Sequence, residues 1–169
     1  MSLKSNANIF RRKLMHALTH NIGKKSVSDM PKKADNFKVQ PVLISRPNHR
    51  LGNMLLITPL VQEIINTYPN CTIDLFVKGK ITPIIFQNYP QVKNIIELPK
   101  KPLKDFSEYL KVWYSLKRTS YDLVINVEKG SSSGRISTIL PSANFKFFGD
   151  DFDEIKTKYS DIEHIAKYP

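Results

Sequence analysis

Two short stretches of this chain hold residue types that can bind an anion or move a proton. The first is Arg46-Pro-Asn-His-Arg-Leu-Gly-Asn53. Its apolar lead-in reads as a strand and its tail as the start of a helix, whose free backbone amides attract anions. Arg46, His49 and Arg50 add three cationic donors to the same rim, and Gly52 lets backbone approach a ligand closely. This design suits phosphate or carboxylate. It is neither a dinucleotide fingerprint nor a P-loop, because it has one glycine and no following Gly-Lys-Ser/Thr. A structural turn with solvated arginines fits the same letters. The second stretch is Glu128-Lys-Gly-Ser-Ser-Ser-Gly-Arg135, again between strand and helix signals. Glu128, Lys129, Ser131 and Arg135, with Gly130 and Gly134, suit a polyhydroxylated or phosphorylated ligand. The plainer reading is a polar connection whose serine caps the next helix. Lys78-Gly-Lys80 follows another strand signal and lines the same crevice or is simply solvated.

The surrounding pattern says what must position these loops. Residues 41–45 read as a buried strand. Residues 51–68 have helical length and period, with Leu55, Leu56, Leu60, Ile64 and Ile65 as the apolar face, and Pro59 kinks that helix or begins its main segment. Strands are expected at 72–77, 94–98, 121–127 and 145–148. Helices are expected at 82–88, 106–118 and 132–140, the second with Phe106, Leu110, Trp113 and Leu116 on one side. Apolar strands separated by helices indicate a parallel sheet covered on both faces. The expected fold class is therefore α/β, a Rossmann-like doubly wound parallel sheet. Ligands of such sheets bind beyond the carboxyl ends of the strands, where both loops fall.

Composition narrows the options. The chain has 169 residues and a formal net charge of +11. Such a length supports one ordinary domain, and no apolar run reaches the roughly 20 residues of a membrane-spanning helix. Cys71 is the single cysteine, next to an apolar alternation, so no internal disulfide framework is expected. His16, His20, His49 and His164 make no metal-ligand spacing with it, and no metal is expected. Residues 1–40 carry nine Lys or Arg against two Asp, whereas residues 150–169 carry six acids against three Lys. A basic body favours an anionic partner. Residues 5–22 read as a basic amphipathic helix, with Phe10, Leu14, Ala17, Leu18 and Ile22 on one face. It would lie on an anionic membrane surface or pack on its own domain or a partner domain. The organisation expected is thus a helix and linker over 1–38, a domain over 39–149 and an acidic tail over 150–169.

The run Val42-Leu-Ile-Ser-Arg-Pro-Asn-His-Arg-Leu-Gly-Asn-Met-Leu-Leu-Ile-Thr-Pro-Leu60 resembles the amino-terminal motif of the family 9 glycosyltransferases, the heptosyltransferases of lipopolysaccharide core assembly. Tyr68-Pro69, residues 73–77 and Tyr121-Asp-Leu-Val-Ile-Asn-Val127 fall in the family's order, and the likeness spans about residues 39–150. It implies one half of a two-domain GT-B fold, with the acceptor in the amino-terminal domain and the nucleotide-sugar donor in a carboxy-terminal one. It implies inverting, metal-independent transfer to an anionic glycolipid or phosphorylated sugar, in the cytoplasm or on the inner face of the plasma membrane. On this reading Arg46, Arg50, Gly52, Glu128, Lys129, Ser131 and Arg135 hold the acceptor.

Two departures matter. The family's Leu-Gly-Asp, whose aspartate is taken as the general base, is Leu51-Gly52-Asn53 here. A neutral amide orients a hydroxyl but does not usefully accept its proton. The catalytic candidates are therefore Asn53 as an orienting group and His49 or Glu128 as the proton acceptor. The chain also ends before any donor domain, so the expectation is no cofactor and no transfer by this chain alone, unless a separate donor domain joins it. The alternatives are a non-catalytic glycan- or membrane-binding module and, further off, a basic nucleic-acid-binding protein. The latter lacks an RNP-type aromatic pair, a helix-turn-helix and a zinc motif.

Overall fold

A computed structural model describes residues 13–15, 17–19, 39–102, 104–128 and 130–148. It is a five-stranded, wholly parallel sheet in the order β3-β2-β1-β4-β5. The strands are β1 (Pro41–Arg46), β2 (Thr72–Val77), β3 (Val92–Glu97), β4 (Ser120–Asn126) and β5 (Ser142–Phe147). The helices are α1 (Leu51–Leu55), α2 (Thr58–Thr67), α3 (Thr82–Phe86), α4 (Phe106–Arg118) and α5 (Ser132–Ile139). The α/β reading holds. The expected third strand starts two residues earlier than its apolar letters, and the expected fifth three earlier. Backbone pairing, not side-chain apolarity, sets where a strand begins.

Successive side chains of β1 go to opposite faces, as a strand's period of two demands. Val42 and Ile44 join Met54, Ile57, Val61 and Ile64 of the α1–α2 region and Phe86 of α3 in one core. Leu43 joins Leu116 of α4, with Phe76, Tyr121 and Val124, in the other. The sheet is therefore covered on both faces, and β1 lies in its middle.

The helical stretch over 51–68 is two helices, and of the two outcomes expected for Pro59 it begins the main segment. Pro59 has no N–H to give to the Leu55 carbonyl one turn back. The Thr58 hydroxyl donates to that carbonyl instead, at 2.8 Å. The chain turns at Leu56 and Ile57, and Pro59 sits in the first turn of α2, where a missing N–H costs nothing.

Helix α4 has the predicted limits but a different buried face. Phe106 is 58% exposed and Leu110 49% exposed. Tyr109, Val112, Trp113 and Leu116 pack on the sheet instead, and Trp113 lies against Phe76 with ring centroids 5.3 Å apart. Both faces have helical spacing, so periodicity alone does not choose between them.

Among residues 13–15 and 17–19, all helical, Thr19 is buried and its hydroxyl donates to Met15 O and to Ser132 Oγ at 3.1 Å. This part of the expected amino-terminal helix packs on its own domain, while Leu14 and Leu18 are exposed. The rest of 5–22, the linker to residue 38 and the tail over 150–169 lie outside the described residues. No helix among the described residues is long and apolar enough to cross a membrane.

Tyr121 of β4 donates from its hydroxyl to Asp74 Oδ2 of β2 at 2.9 Å, across β1. Burial, and then the Asp74 carboxylate, push the phenol well above its ordinary range. A folded-state pKa raised above the unfolded one contributes stability in full below the unfolded value, about 10 for tyrosine. That contribution fades as pH climbs above it. Tyr121→Phe is therefore expected to flatten the loss of stability above about pH 10, read from denaturant midpoints across pH. Leu116→Ala is expected to cost about 2–5 kcal/mol. Phe106→Ser is expected to stay within about 0.5 kcal/mol, and urea unfolding separates the two.

Candidate functional site

Strand order reverses at β1. The chain leaves β1 towards β2 and β3, then crosses back to lay β4 on the other side of β1. The loops after β1 and β4 therefore diverge from neighbouring strand ends and leave a crevice between them. Val127 N donates to Ser45 O at 3.0 Å, so the two strand ends stay paired up to the point of divergence.

The loop after β1 is shaped by Asn48. Its Oδ1 accepts from His49 N at 2.8 Å and from Arg50 N at 3.1 Å, which holds the turn that leads into α1. Its Nδ2 donates to Glu128 Oε1 at 3.3 Å, which ties this loop to the one after β4. One amide thus organises both loops.

Arg46 ends β1 directly below. It is only 6% exposed, and its Nε and Nη1 have no hydrogen-bond partner. Burial lowers its pKa from the ordinary arginine value, and the Glu128 carboxylate pulls it back up. Glu128 Oε2 is buried and also without a partner. An unpartnered buried polar atom costs about 1–3 kcal/mol, and more when charged. Three such atoms meet here, of opposite sign, on the two loops of the switch point.

The loop after β4 is held by Asn126, which is buried at the end of that strand. Its Oδ1 accepts from Glu128 N at 3.1 Å, and its Nδ2 donates to Phe148 O at 3.2 Å. Asn126 also decides the next helix. A Cβ on Gly134 would lie 2.5 Å from Asn126 Oδ1, so only glycine lets α5 come this close. Ser137 Oγ lies 2.5 Å from Ser45 Oγ and fastens α5 to β1.

The predicted site residues divide accordingly. Arg46 and Glu128 meet at the crevice. Arg50, Gly52 and Asn53 lie on its rim at the start of α1, with Arg50 and Gly52 exposed and Asn53 half-buried. Gly52 has open space where a Cβ would be, so no contact within the chain requires glycine there. His49 is exposed and turned towards the β2 loop, its Cβ 3.3 Å from where a Gly79 Cβ would lie. Ser131 caps α5, its Oγ accepting from Gly134 N at 3.2 Å. Arg135 is buried in the first turns of α5 and engaged within the fold. Lys129 lies outside the described residues. Asn48 and Asn126 were not among the predicted residues. Their signal was local: an asparagine just before a helix, and an asparagine closing an apolar strand.

No family model matches the chain. A segment of it is 30% identical over 79 residues to lipopolysaccharide heptosyltransferase 3 of Escherichia coli (strain K12), a match covering 45% of this chain and 23% of that protein. The chain thus matches about a quarter of that relative's length. A glycosyl transferase family 9 structure from Veillonella parvula DSM 2008 superposes with a TM-score of 0.49 at 16% identity, over 64% of this chain and 32% of the other. In sequence the chain resembles part of a heptosyltransferase.

The two glycines give a direct test of the site's construction. Gly134→Ala is expected to destabilise by about 1–3 kcal/mol, through overpacking against Asn126. Gly52→Ala is expected to be neutral or stabilising by up to about 1 kcal/mol, because its Cβ meets nothing and alanine suits a helix better. Denaturant unfolding of the two single variants reads the difference.

Proposed function

We propose that residues 39–149 form the acceptor-binding part of a glycosyltransferase of the heptosyltransferase kind, one half of a GT-B arrangement. The acceptor is an anionic glycolipid or phosphorylated sugar of the cell envelope. The observation that carries this reading is the buried Arg46 at the switch point, with two unpartnered donors beside the unpartnered oxygen of Glu128. A sugar bearing an anionic group satisfies both signs at once. Its charged oxygen accepts from Arg46, and a neighbouring hydroxyl donates to Glu128.

Each further residue has a role on this reading. Arg50 adds a second cation on the rim. Asn53 orients the acceptor hydroxyl without taking its proton. Of the two candidate proton acceptors Glu128 is preferred, because Asn48 ties it to the crevice while His49 lies against the neighbouring loop. The nucleotide-sugar donor is bound by another domain, continuous with this chain or separate. ADP-heptose added to these residues alone is expected to give no transfer. The alternative is a non-catalytic module that keeps acceptor binding only, and it has the same crevice.

Calorimetric titration with a phosphorylated lipopolysaccharide core oligosaccharide tests the proposal, with the dephosphorylated oligosaccharide as comparison. Binding is expected to the first and to be much weaker for the second. Arg50→Ala, on an exposed side chain, is expected to weaken binding roughly tenfold. Equal affinity for the two sugars would remove anion recognition from the site. Unchanged affinity in the variant would remove Arg50 from it.

A further inference from the structure

Three consecutive strand-to-helix loops, after β1, β2 and β3, share the carboxyl edge of one side of the sheet. They are tied together. Lys78 N donates to Asn48 O at 3.3 Å, α1 touches α3, and Lys100 and His49 both close on Gly79. Gly79 has φ 100°, a left-handed conformation that keeps this junction tight.

The composition of this edge is one-sided. Residues 46–57 and 78–91 contain no Asp or Glu, and the loop after β3 has three lysines against Asp105, with Glu97 at the end of β3. They carry exposed Arg50, Lys80, Lys100, Lys101 and Lys104. Among these cations stand large aliphatic side chains that face outward: Leu51 and Leu55 one turn apart on α1, and Ile84 on α3, 65% exposed. Scattered single apolar residues on a surface need no explanation. Three on two touching helices that carry no acid of their own, with lysines around them, do. Nucleic acid accounts for the charge but gives aliphatic side chains little to bury in. A neutral apolar partner accounts for the leucines but not for the charge.

We infer that the carboxyl edge formed by the loops after β1, β2 and β3 docks on an anionic lipid bilayer, with Leu51, Leu55 and Ile84 entering the headgroup boundary and the surrounding lysines pairing with lipid phosphates. Charge complementarity and the outward aliphatics select this occupant. The surface uses none of the described residues of the amino-terminal helix. It adjoins the crevice of Arg46 and Glu128, so a lipid-anchored sugar would be presented from the same side. The inference does not depend on sugar binding.

Sedimentation of the full chain with vesicles tests it. Binding is expected to vesicles of phosphatidylglycerol and phosphatidylethanolamine, to fall as salt rises, and to be far weaker with phosphatidylcholine alone. Leu55→Ser with Ile84→Ser is expected to reduce binding by about tenfold or more. Lys101→Gln with Lys104→Gln is expected to reduce it roughly fivefold per cation removed. All four positions are exposed, circular dichroism checks that the variants fold, and affinity for the core oligosaccharide should not change. Absence of binding to anionic vesicles overturns the inference. So does full binding by folded variants, which would assign the membrane to another segment. Light scattering that shows a dimer dissolved by Leu55→Ser with Ile84→Ser, without vesicle binding, would assign the face to a second copy and overturn it equally.

Discussion

The whole arrangement depends on β1 being paired on both of its edges. A parallel strand with β2 on one side and β4 on the other is buried on both faces, and its side chains alternate between two cores. The apolar run Val42-Leu43-Ile44 is the sequence consequence. The functional consequence lies at the end of the same strand. Two neighbours that leave in different directions open the sheet's carboxyl edge beside Arg46.

That opening would be an ordinary pair of loops without two asparagines. Asn48 reaches across to Glu128, and Asn126 holds the backbone of Glu128 from beneath. Between them they fix a carboxylate near a buried guanidinium without a direct ion pair among the described contacts. Satisfied pairs in a low-dielectric setting stabilise a fold, whereas unsatisfied ones cost it. A protein that keeps Arg46 and Glu128 in this state carries a local cost, and under the proposed function an anionic, hydroxylated ligand offsets it. Gly134 belongs to the same device, because only its missing Cβ lets α5 approach Asn126.

Much of this was legible from residues in order along the chain. The alternation of apolar runs and amphipathic stretches was enough for a doubly wound sheet, and the positions of the two polar loops were enough to expect a site there. What the letters left open is informative. The stretch from Leu51 to Thr67 has helical period throughout, and Pro59 allowed either a kink or a new start; the new start is found, with the Thr58 hydroxyl bonded to the Leu55 carbonyl. Helix α4 has two apolar stripes, and only the sheet beneath it decides that Tyr109 and Val112 are inside while Phe106 and Leu110 are outside. Ser131 read equally as a ligand group or a cap, and its geometry makes it the cap.

The sequence by itself determined the layer architecture, the likeness to part of a heptosyltransferase and the presence of a neutral amide, Asn53, in the Leu51-Gly52-Asn53 run. These depend on residue type and spacing, which a linear string records in full. Only the tertiary structure decided which loops face each other, that Arg46 is buried with unpartnered donors, that His49 lies beside Gly79 of the neighbouring loop, and that an edge rich in lysines gathers exposed aliphatics. The physical reason is that these properties belong to pairs of segments 30 to 80 residues apart, such as Asn48 with Lys78 and Asn48 with Glu128. Parallel pairing of the strands brings those segments together, and no local pattern encodes the distance between them.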